Sequence, residues 1–432
     1  MPRSPGRRDD GAAPLHCGIG AAPPRRIAFF TPDLRSGGVQ GTIVSLAKAM
    51  RGFGFAVDVV VSRFPDGAMR TQIPADIRVV PLERSTPIVA RLAAAWAQPR
   101  GLAALGPSLI FTKKVSNHLP SLPALARYLK TTRPDVLYAA MAHPNIQAIL
   151  ARSLAGVPTR VVVSDHSSEA RRNSTFWRKR DLASAMRHTY AQADVIVAVS
   201  QGVADDLATT VGLPRERITT LYNPVIGPDL PAKAAAPVDH PWFATNDVPV
   251  ILTVGRLERE KGHDVLLEAF AKLQATRRSR LVIIGSTTHK PWEEKLVALA
   301  ADLGMSDRVD FLGYEPNPVR FMARADLFVL SSVYEGFGNV LVEALACGCP
   351  VVSTDCPSGP REILDGGRYG RLTPVGDVDA LALAMAATLE SPPAKADLQA
   401  RAGHFDYDAA ITRYRDVLLG TPPPVSRDEP RI

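Results

Sequence analysis

Cysteine is scarce in this chain. Four residues in 432, three of them (Cys347, Cys349 and Cys356) close together late in the sequence, make no disulfide framework and fit a reducing cytoplasm. Long apolar runs are missing too. No window reaches the roughly 18 uninterrupted apolar residues that a spanning helix needs, so a soluble or peripheral protein is expected. The opening stretch MPRSPGRRDDGAAPLHCGIGAAPPRR contains no apolar segment of the kind a secretory signal carries. Its Pro, Gly and Arg content reads as a disordered tail over 1–25. Low-complexity stretches are few. With 46% hydrophobic and 22% charged residues, the chain is globular, and too long for one ordinary core. A net charge of +8 points to anionic partners, whether phosphates, nucleic acid or a membrane surface. No RNA- or DNA-binding motif accompanies it, which argues against nucleic acid.

What is present is alternation. RRIAFFTPD is a short apolar run ending in turn residues. A glycine loop, the helical pattern TIVSLAKAMRGFG and a second strand-like run, FAVDVVVSR, follow it. That β-loop-α-β order implies parallel strands and a right-handed crossover. The theme returns at PDVLYAAMA, TRVVVSDHS and ADVIVAVS, giving a Rossmann-like domain over 26–223. Residues 224–247 are proline-dense and aperiodic, and read as a linker. Alternation then restarts with VPVILTVGR, SRLVIIGS, RVDFLGY, ADLFVLSS and PVVSTD, a second Rossmann-like domain over 248–403. A last helical stretch, 404–420, is free to pack back on the first domain, and 421–432 reads as a second tail. Two such α/β domains facing each other place the C-terminal ends of both sheets across a cleft, where ligands of open α/β sheets bind.

The stretch SSVYEGFGNVLVEALACG reads as strand, loop and helix. Glu335 lies in the loop and Glu343 one turn inside the helix, so they are not an i, i+4 pair. Amides at Gly338, Asn339 and Val340 form a helix N-terminus that attracts phosphate. Carboxylates beside a phosphate would repel it, so they fit hydroxyls better, and a carboxylate gripping ribose hydroxyls is a familiar use of such an acid. In TVGRLEREKGHD, Arg256 and Lys261 stand at the mouth of the same sheet. There they could neutralise a diphosphate without metal. Alone, that loop would serve equally as a solvated charged segment with Glu258, Arg259 and Glu260. Its combination with 335–343 makes the ligand-binding reading the stronger one.

GRLEREKG followed by EGFGNVLVEALACGCPVVSTDCPSGPREIL resembles the C-terminal half of a retaining family 4 glycosyltransferase of the GT-B fold. Glu335 and Glu343 meet its E-x7-E pattern, and TPDLRSGGVQGTIVSLAKAM resembles its N-terminal glycine loop. The resemblance runs from Arg26 to Leu419. It implies that Arg256 and Lys261 bind the donor diphosphate, with amides at Gly37 and Gly38 closing over it from the other domain. It assigns Glu335 to the donor sugar and Glu343 to the nucleotide ribose. No cofactor is implied, because the nucleotide-diphosphate sugar, UDP by family frequency, is itself a substrate. Front-face displacement is the implied course, with covalent catalysis by Glu335 as the competitor. A nucleotide-sugar epimerase of the same fold and a non-catalytic sugar-nucleotide-binding protein are the alternative functions.

His143 in YAAMAHPN and His166 in VVVSDHSSEARR each follow a strand and are the candidates for a histidine near the anomeric centre. A histidine simply hydrogen-bonded in a loop is the alternative for each. The HPN sequence resembles the family's short turn and favours His143. The late cysteines do not form the paired knuckles of a zinc site, so packing explains them. The D-x-D strings at 377–379 and 406–408 read as structural, with Asp377 as a helix N-cap. No metal is expected. Arg171, Arg172, Arg178, Lys179, Arg180 and Arg187 around Phe176 and Trp177, with Lys113 and Lys114, suit an anionic membrane surface or a lipid pyrophosphate acceptor. An ordinary solvated basic helix is the alternative. The expectation is a cytoplasmic enzyme, peripheral on the inner face of the membrane, acting on a glycan or lipid-linked acceptor.

Overall fold

The structure, a computed structural model, describes residues 25–35, 37–111, 119–167, 179–245, 247–287 and 290–421. The expected tails (apart from Arg25 and Thr421), Lys113 and Lys114, and the basic and aromatic residues of 168–178 lie outside them.

Residues 26–220 form a seven-stranded parallel sheet: β1 (Arg26–Thr31), β2 (Ala56–Val61), β3 (Arg78–Pro81), β4 (Val136–Ala140), β5 (Arg160–Asp165), β6 (Val195–Ala198) and β7 (Ile218–Thr220). The strand order is β3-β2-β1-β4-β5-β6-β7, with Ile27 beside Ala56's neighbour Val57 on one flank and Val136 on the other. Both faces are covered by helices, so the central strands are apolar throughout rather than alternating. The pleat still sorts side chains by parity. Ala28, Phe30 and Val60 enter one helical layer, and Ile27, Phe29, Val57 and Val59 the other.

The second sheet contains β8 (Val250–Val254), β9 (Arg280–Ile284), β10 (Val309–Gly313), β11 (Leu327–Leu330), β12 (Val351–Thr354) and β13 (Arg371–Thr373). Its order is β10-β9-β8-β11-β12-β13, again parallel. In each sheet the winding reverses once, between β1 and β4 and between β8 and β11. Beyond the carboxyl ends of strands at such reversals lie the crevices where these folds take ligands. The glycine loop follows β1, His143 follows β4, Arg256 to Lys261 follow β8, and Glu335 follows β11.

The joining segment is more than a tether. It carries a short helix, Leu230–Ala235, and a turn of 3-10 helix, Pro241–Phe243. Its carbonyls at Lys233, Ala234 and Pro237 accept hydrogen bonds from Asn317, Arg324 and Arg320 of the second domain. Pro at the first turn of a helix costs nothing, since that amide has no intrahelical partner. Proline density here therefore marks short helices pinned to the second domain. The helix Tyr407–Leu419, capped by Asp406 on the Ala409 amide at 2.7 Å, returns to the first domain. Ile411, Tyr414, Val417 and Leu418 are buried in the layer that holds Ile27, Phe29 and Ile43, and the Tyr414 hydroxyl donates to the Leu221 carbonyl at 3.3 Å. No helix among the described residues is long and apolar enough to cross a membrane.

Candidate active site

The helix Asn339–Cys347 starts at Gly338, whose φ of 98° lies in the left-handed region, and no side chain caps its N-terminus. Glycine accepts that conformation without a Cβ penalty, and the uncapped amides of the first turn keep their partial positive charge for a ligand. The loop 331–338 that leads to it is held on several sides. The Ser331 hydroxyl donates to the Lys261 carbonyl at 2.8 Å, and the Thr354 hydroxyl to the Ser332 carbonyl at 2.6 Å. The Val333 amide donates to the Glu260 carbonyl at 2.8 Å.

Within this loop Glu335 faces Lys261. The ammonium lies 2.5 Å from Glu335 Oε1, and Ser332 Oγ donates to the same oxygen at 2.6 Å. Both side chains are largely buried. Arg256, expected to work beside Lys261, is placed differently: its side chain is 60% exposed and bonds Glu260 at 3.1 Å. An exposed pair of that kind contributes little and re-forms elsewhere easily, whereas a buried pair is costly to break. The main chain of Arg256 is fixed by His263, the first residue of the helix His263–Leu273, whose Nε2 donates to the Arg256 carbonyl at 3.2 Å. Burial lowers the His263 pKa to about 4, so the ring is neutral at pH 7.

Glu343 stands in contrast to Glu335. It makes no hydrogen bond or ion pair among the described residues, and burial pushes its pKa up to about 7, opposed only by the charge of Lys233. Its carboxyl is poised between protonated and ionised at neutral pH. Hydroxyl donors arriving at this group would favour the charged form.

Across the cleft, Asp33 shapes the glycine loop. Its buried carboxylate accepts from the Arg35 amide at 3.2 Å, the Arg35 guanidinium at 2.9 Å and Gln40 at 3.2 Å. Gly38 opens the helix Gly38–Gly52 and lies against the second domain, where a Cβ on it would stand 3.8 Å from Asn339 Nδ2. His143 is not in a turn. It is the second residue of the helix Ala142–Ala155, because Met141, at φ 77°, makes the whole reversal after β4. His166 turns its ring toward Ser164 Oγ at 3.1 Å and Tyr138 Oη at 3.5 Å, within its own domain. Burial lowers its pKa to about 4. Its contact with the site loop is through main chain: a Cβ on Gly336 would meet the His166 carbonyl oxygen at 2.0 Å.

Further contacts join the domains. Ser200 Oγ donates to the Gly336 carbonyl at 2.6 Å. The Glu362 carboxylate accepts from the amides of Gln201 at 2.9 Å and Gly202 at 2.8 Å. Asn223 Nδ2 donates to Asn339 Oδ1 at 2.9 Å. Phe337 stacks on Tyr222 at 5.2 Å, and both meet Phe405 edge-on. Sequence reasoning assigned no role to Asp33, Ser200, Asn223, Ser332 or Glu362. Serine before a helical stretch is an N-cap signal, and Glu362 sits in SGPREIL, so two of the five carried a local trace. Asp377 accepts from the Ala380 amide at 2.9 Å as a helix cap. Cys347, Cys349 and Cys356 are buried free thiols, and among the described residues no group of three His, Cys, Asp or Glu side chains could hold a metal ion.

Two family models cover the two halves. Glycosyltransferase Family 4 matches residues 36–226 and Glycosyl transferases group 1 matches residues 240–404. An N-acetylgalactosamine-N,N'-diacetylbacillosaminyl-diphospho-undecaprenol 4-alpha-N-acetylgalactosaminyltransferase of Campylobacter jejuni is 32% identical over 278 residues, 62% of this chain and 72% of that protein. The chain is a family 4 glycosyltransferase. A glycogen synthase of Mycobacterium tuberculosis is 26% identical over 428 residues, 94% of this chain and 96% of that one. Anabaena HepE, solved with UDP and glucose, superposes with a TM-score of 0.73 at 22% identity, covering 92% of this chain and all of HepE. That likeness shows the fold of this family 4 glycosyltransferase to be GT-B.

Proposed function

We propose that this glycosyltransferase is a retaining enzyme that needs no metal and moves a sugar from a UDP-sugar to a glycan or lipid-linked acceptor. Its setting is cell-surface polysaccharide or glycolipid synthesis at the inner face of the cytoplasmic membrane. The observation that carries the reading is one juxtaposition. The uncapped amides that open the helix at Asn339, the buried Lys261–Glu335 pair and the Glu343 carboxyl, which has no partner among the described residues, all lie at the β8/β11 reversal. The amides and Lys261 suit a diphosphate, Arg256 can swing from Glu260 to join them, and Glu343 suits ribose hydroxyls. A diphosphate reaching Lys261 competes with Glu335 for the ammonium. Glu335 is thereby released toward the hydroxyls of the sugar. The names of the relatives support the substrate classes: a diphospho-undecaprenol-linked acceptor in the Campylobacter transferase, UDP and glucose in HepE.

In the front-face course, the bond between the anomeric carbon and the leaving phosphate oxygen breaks as the acceptor oxygen attacks from the same side. The acceptor proton passes to the phosphate oxygen. Charge grows on the diphosphate, where Lys261, Arg256 and the helix N-terminus stabilise it more in the transition state than before it. His143 and His166 and the amides of Gly37 and Gly38 would border this space from the first domain.

A thermal-shift titration with UDP, GDP and ADP, each with and without EDTA, tests the donor. UDP alone is expected to stabilise, with or without chelator. A shift that EDTA removes would overturn the metal-independent reading, and selectivity for GDP or ADP would overturn UDP. Glu335→Ala is expected to lose transfer by about a hundredfold or more while nucleotide stabilisation persists. Retained transfer would remove Glu335 from the chemistry.

A further inference from the structure

The helix Pro87–Ala97 is built inside out. Ala90 and Ala94 are fully buried, while Ile88 is 69%, Leu92 65% and Trp96 84% exposed. Residues 88, 92 and 96 recur every fourth position and so form one stripe, with Val89 beside it and Leu102 and Phe111 exposed in the following segment. An ordinary surface helix turns its large apolar side chains toward the core. Here alanines allow close packing against the helices Leu122–Thr132 and Ala142–Ala155, and the large groups face outward. Val89, Leu92 and Trp96 line a groove with Pro99, Pro123 and Leu154, and Ile88 continues the same stripe beyond it. A contiguous exposed apolar face of this kind marks an interaction surface.

Charge identifies what covers it. From Arg84 to Pro134 the chain contains eight Lys or Arg (Arg84, Arg91, Arg100, Lys113, Lys114, Arg127, Lys130 and Arg133) and no Asp or Glu. The whole protein has 51 cations to 43 anions, so an acid-free run of this length is a local feature. Two copies meeting through this face would bring like charges together, which disfavours self-association. An anionic lipid surface satisfies both parts. Acyl chains and the interfacial zone accept Trp, Leu and Ile, and phosphate headgroups accept cations such as Arg100, which is exposed just after the helix. The helix also begins just after β3, at the same carboxyl edge of the sheet that borders the cleft.

We infer that the Ile88, Leu92 and Trp96 face is the surface by which this glycosyltransferase lies on an anionic phospholipid bilayer, its acceptor-side domain held against the membrane. The inference deepens the reading of a lipid-linked acceptor, but vesicle binding needs neither donor nor acceptor, so either can fail while the other stands.

The test is co-sedimentation of the full chain with vesicles of phosphatidylcholine alone and of phosphatidylcholine mixed with phosphatidylglycerol. Binding to the mixed vesicles, weakened by salt, is expected. The triple variant I88S/L92S/W96S should keep its melting temperature and its nucleotide-induced shift, since these side chains bury little, while losing about tenfold or more in vesicle affinity. Unchanged vesicle binding by the triple variant would overturn the inference. So would binding that Arg100→Ser, Lys113→Ser and Lys114→Ser remove but the apolar variant does not, because that is adsorption by charge alone. A dimer in light scattering that the triple variant dissolves, with no vesicle binding by the wild type, would assign the face to self-association instead.

Discussion

Glu343 offers the sharpest test of how the donor is held. Its carboxyl titrates at about 7 because it is buried without a hydrogen-bond partner among the described residues. If a nucleotide ribose donates hydroxyl hydrogen bonds to it, the ionised form gains partners and the pKa falls back toward the ordinary 4.5. Nucleotide binding then expels a proton. With those two values, the release is about 0.9 proton at pH 6, about 0.5 at pH 7 and about 0.1 at pH 8. By linkage the affinity rises with pH, about tenfold from pH 6 to pH 8. Calorimetry in buffers of different ionisation enthalpy measures the proton count directly. The nucleotide's own phosphate titrates in this range, so Glu343→Gln serves as the reference. The amide keeps a hydroxyl acceptor but has no proton to lose, and the difference between the two proteins isolates the carboxyl. Equal proton release by wild type and Glu343→Gln at pH 6 would refute the assignment of Glu343 to the ribose.

Two further outcomes follow from the site's geometry. Gly336→Ala puts a methyl group 2.0 Å from the His166 carbonyl oxygen, backbone against backbone; the domains must part, so small-angle scattering should show a larger radius and transfer should fall while nucleotide-induced stabilisation, which the proposed donor site assigns to the second domain, persists. His166 and His263 both titrate in the folded state near pH 4, below the ordinary 6.5; the unfolded chain therefore binds more protons between these values, and stability is complete above pH 6.5 and falls toward pH 4, by up to about 3 kcal/mol for each ring. Urea unfolding at pH 7 and pH 5 reads this loss, and His263→Gln should flatten part of the slope.

The parts of the fold that the sequence made legible are those with a local cause. Strands buried on both faces must be continuous apolar runs, and VILTV or LFVL declare themselves. The helix over 339–347 ends at Gly348 because a left-handed residue is needed there, at φ 71°. Proline, by contrast, is ambiguous. In 224–247 it suggested an aperiodic linker, yet it opens the helix Leu230–Ala235 and the turn Pro241–Phe243. The HPN sequence likewise resembled a turn and is the start of a helix, since Met141 takes up the reversal. The contacts that close the cleft left the least trace. Glu362 reaches amides about 160 positions away, and Lys261 meets Glu335 across 74. No periodicity reports such pairings, because what decides them is which loops the two winding reversals bring together.

The two glutamates of the E-x7-E pattern show why spacing alone could not assign them. Eight residues apart, they experience opposite environments. Glu335 has a buried ammonium and a hydroxyl on one oxygen, so its charge is already satisfied before any ligand arrives. Glu343 has no partner among the described residues and is held near half ionisation by burial. In the proposed complex the donor would therefore do different work at each. At Glu335 the proposed diphosphate would exchange one anion for another on Lys261, and the carboxylate would turn toward the sugar. At Glu343 ribose hydroxyls would supply hydrogen bonds that no described residue gives the group, and the gain would be a shift in ionisation. Binding energy from the nucleotide end can in this way be drawn on at the sugar end, which is the relation a transferase needs between the part of its donor that is gripped and the part that reacts.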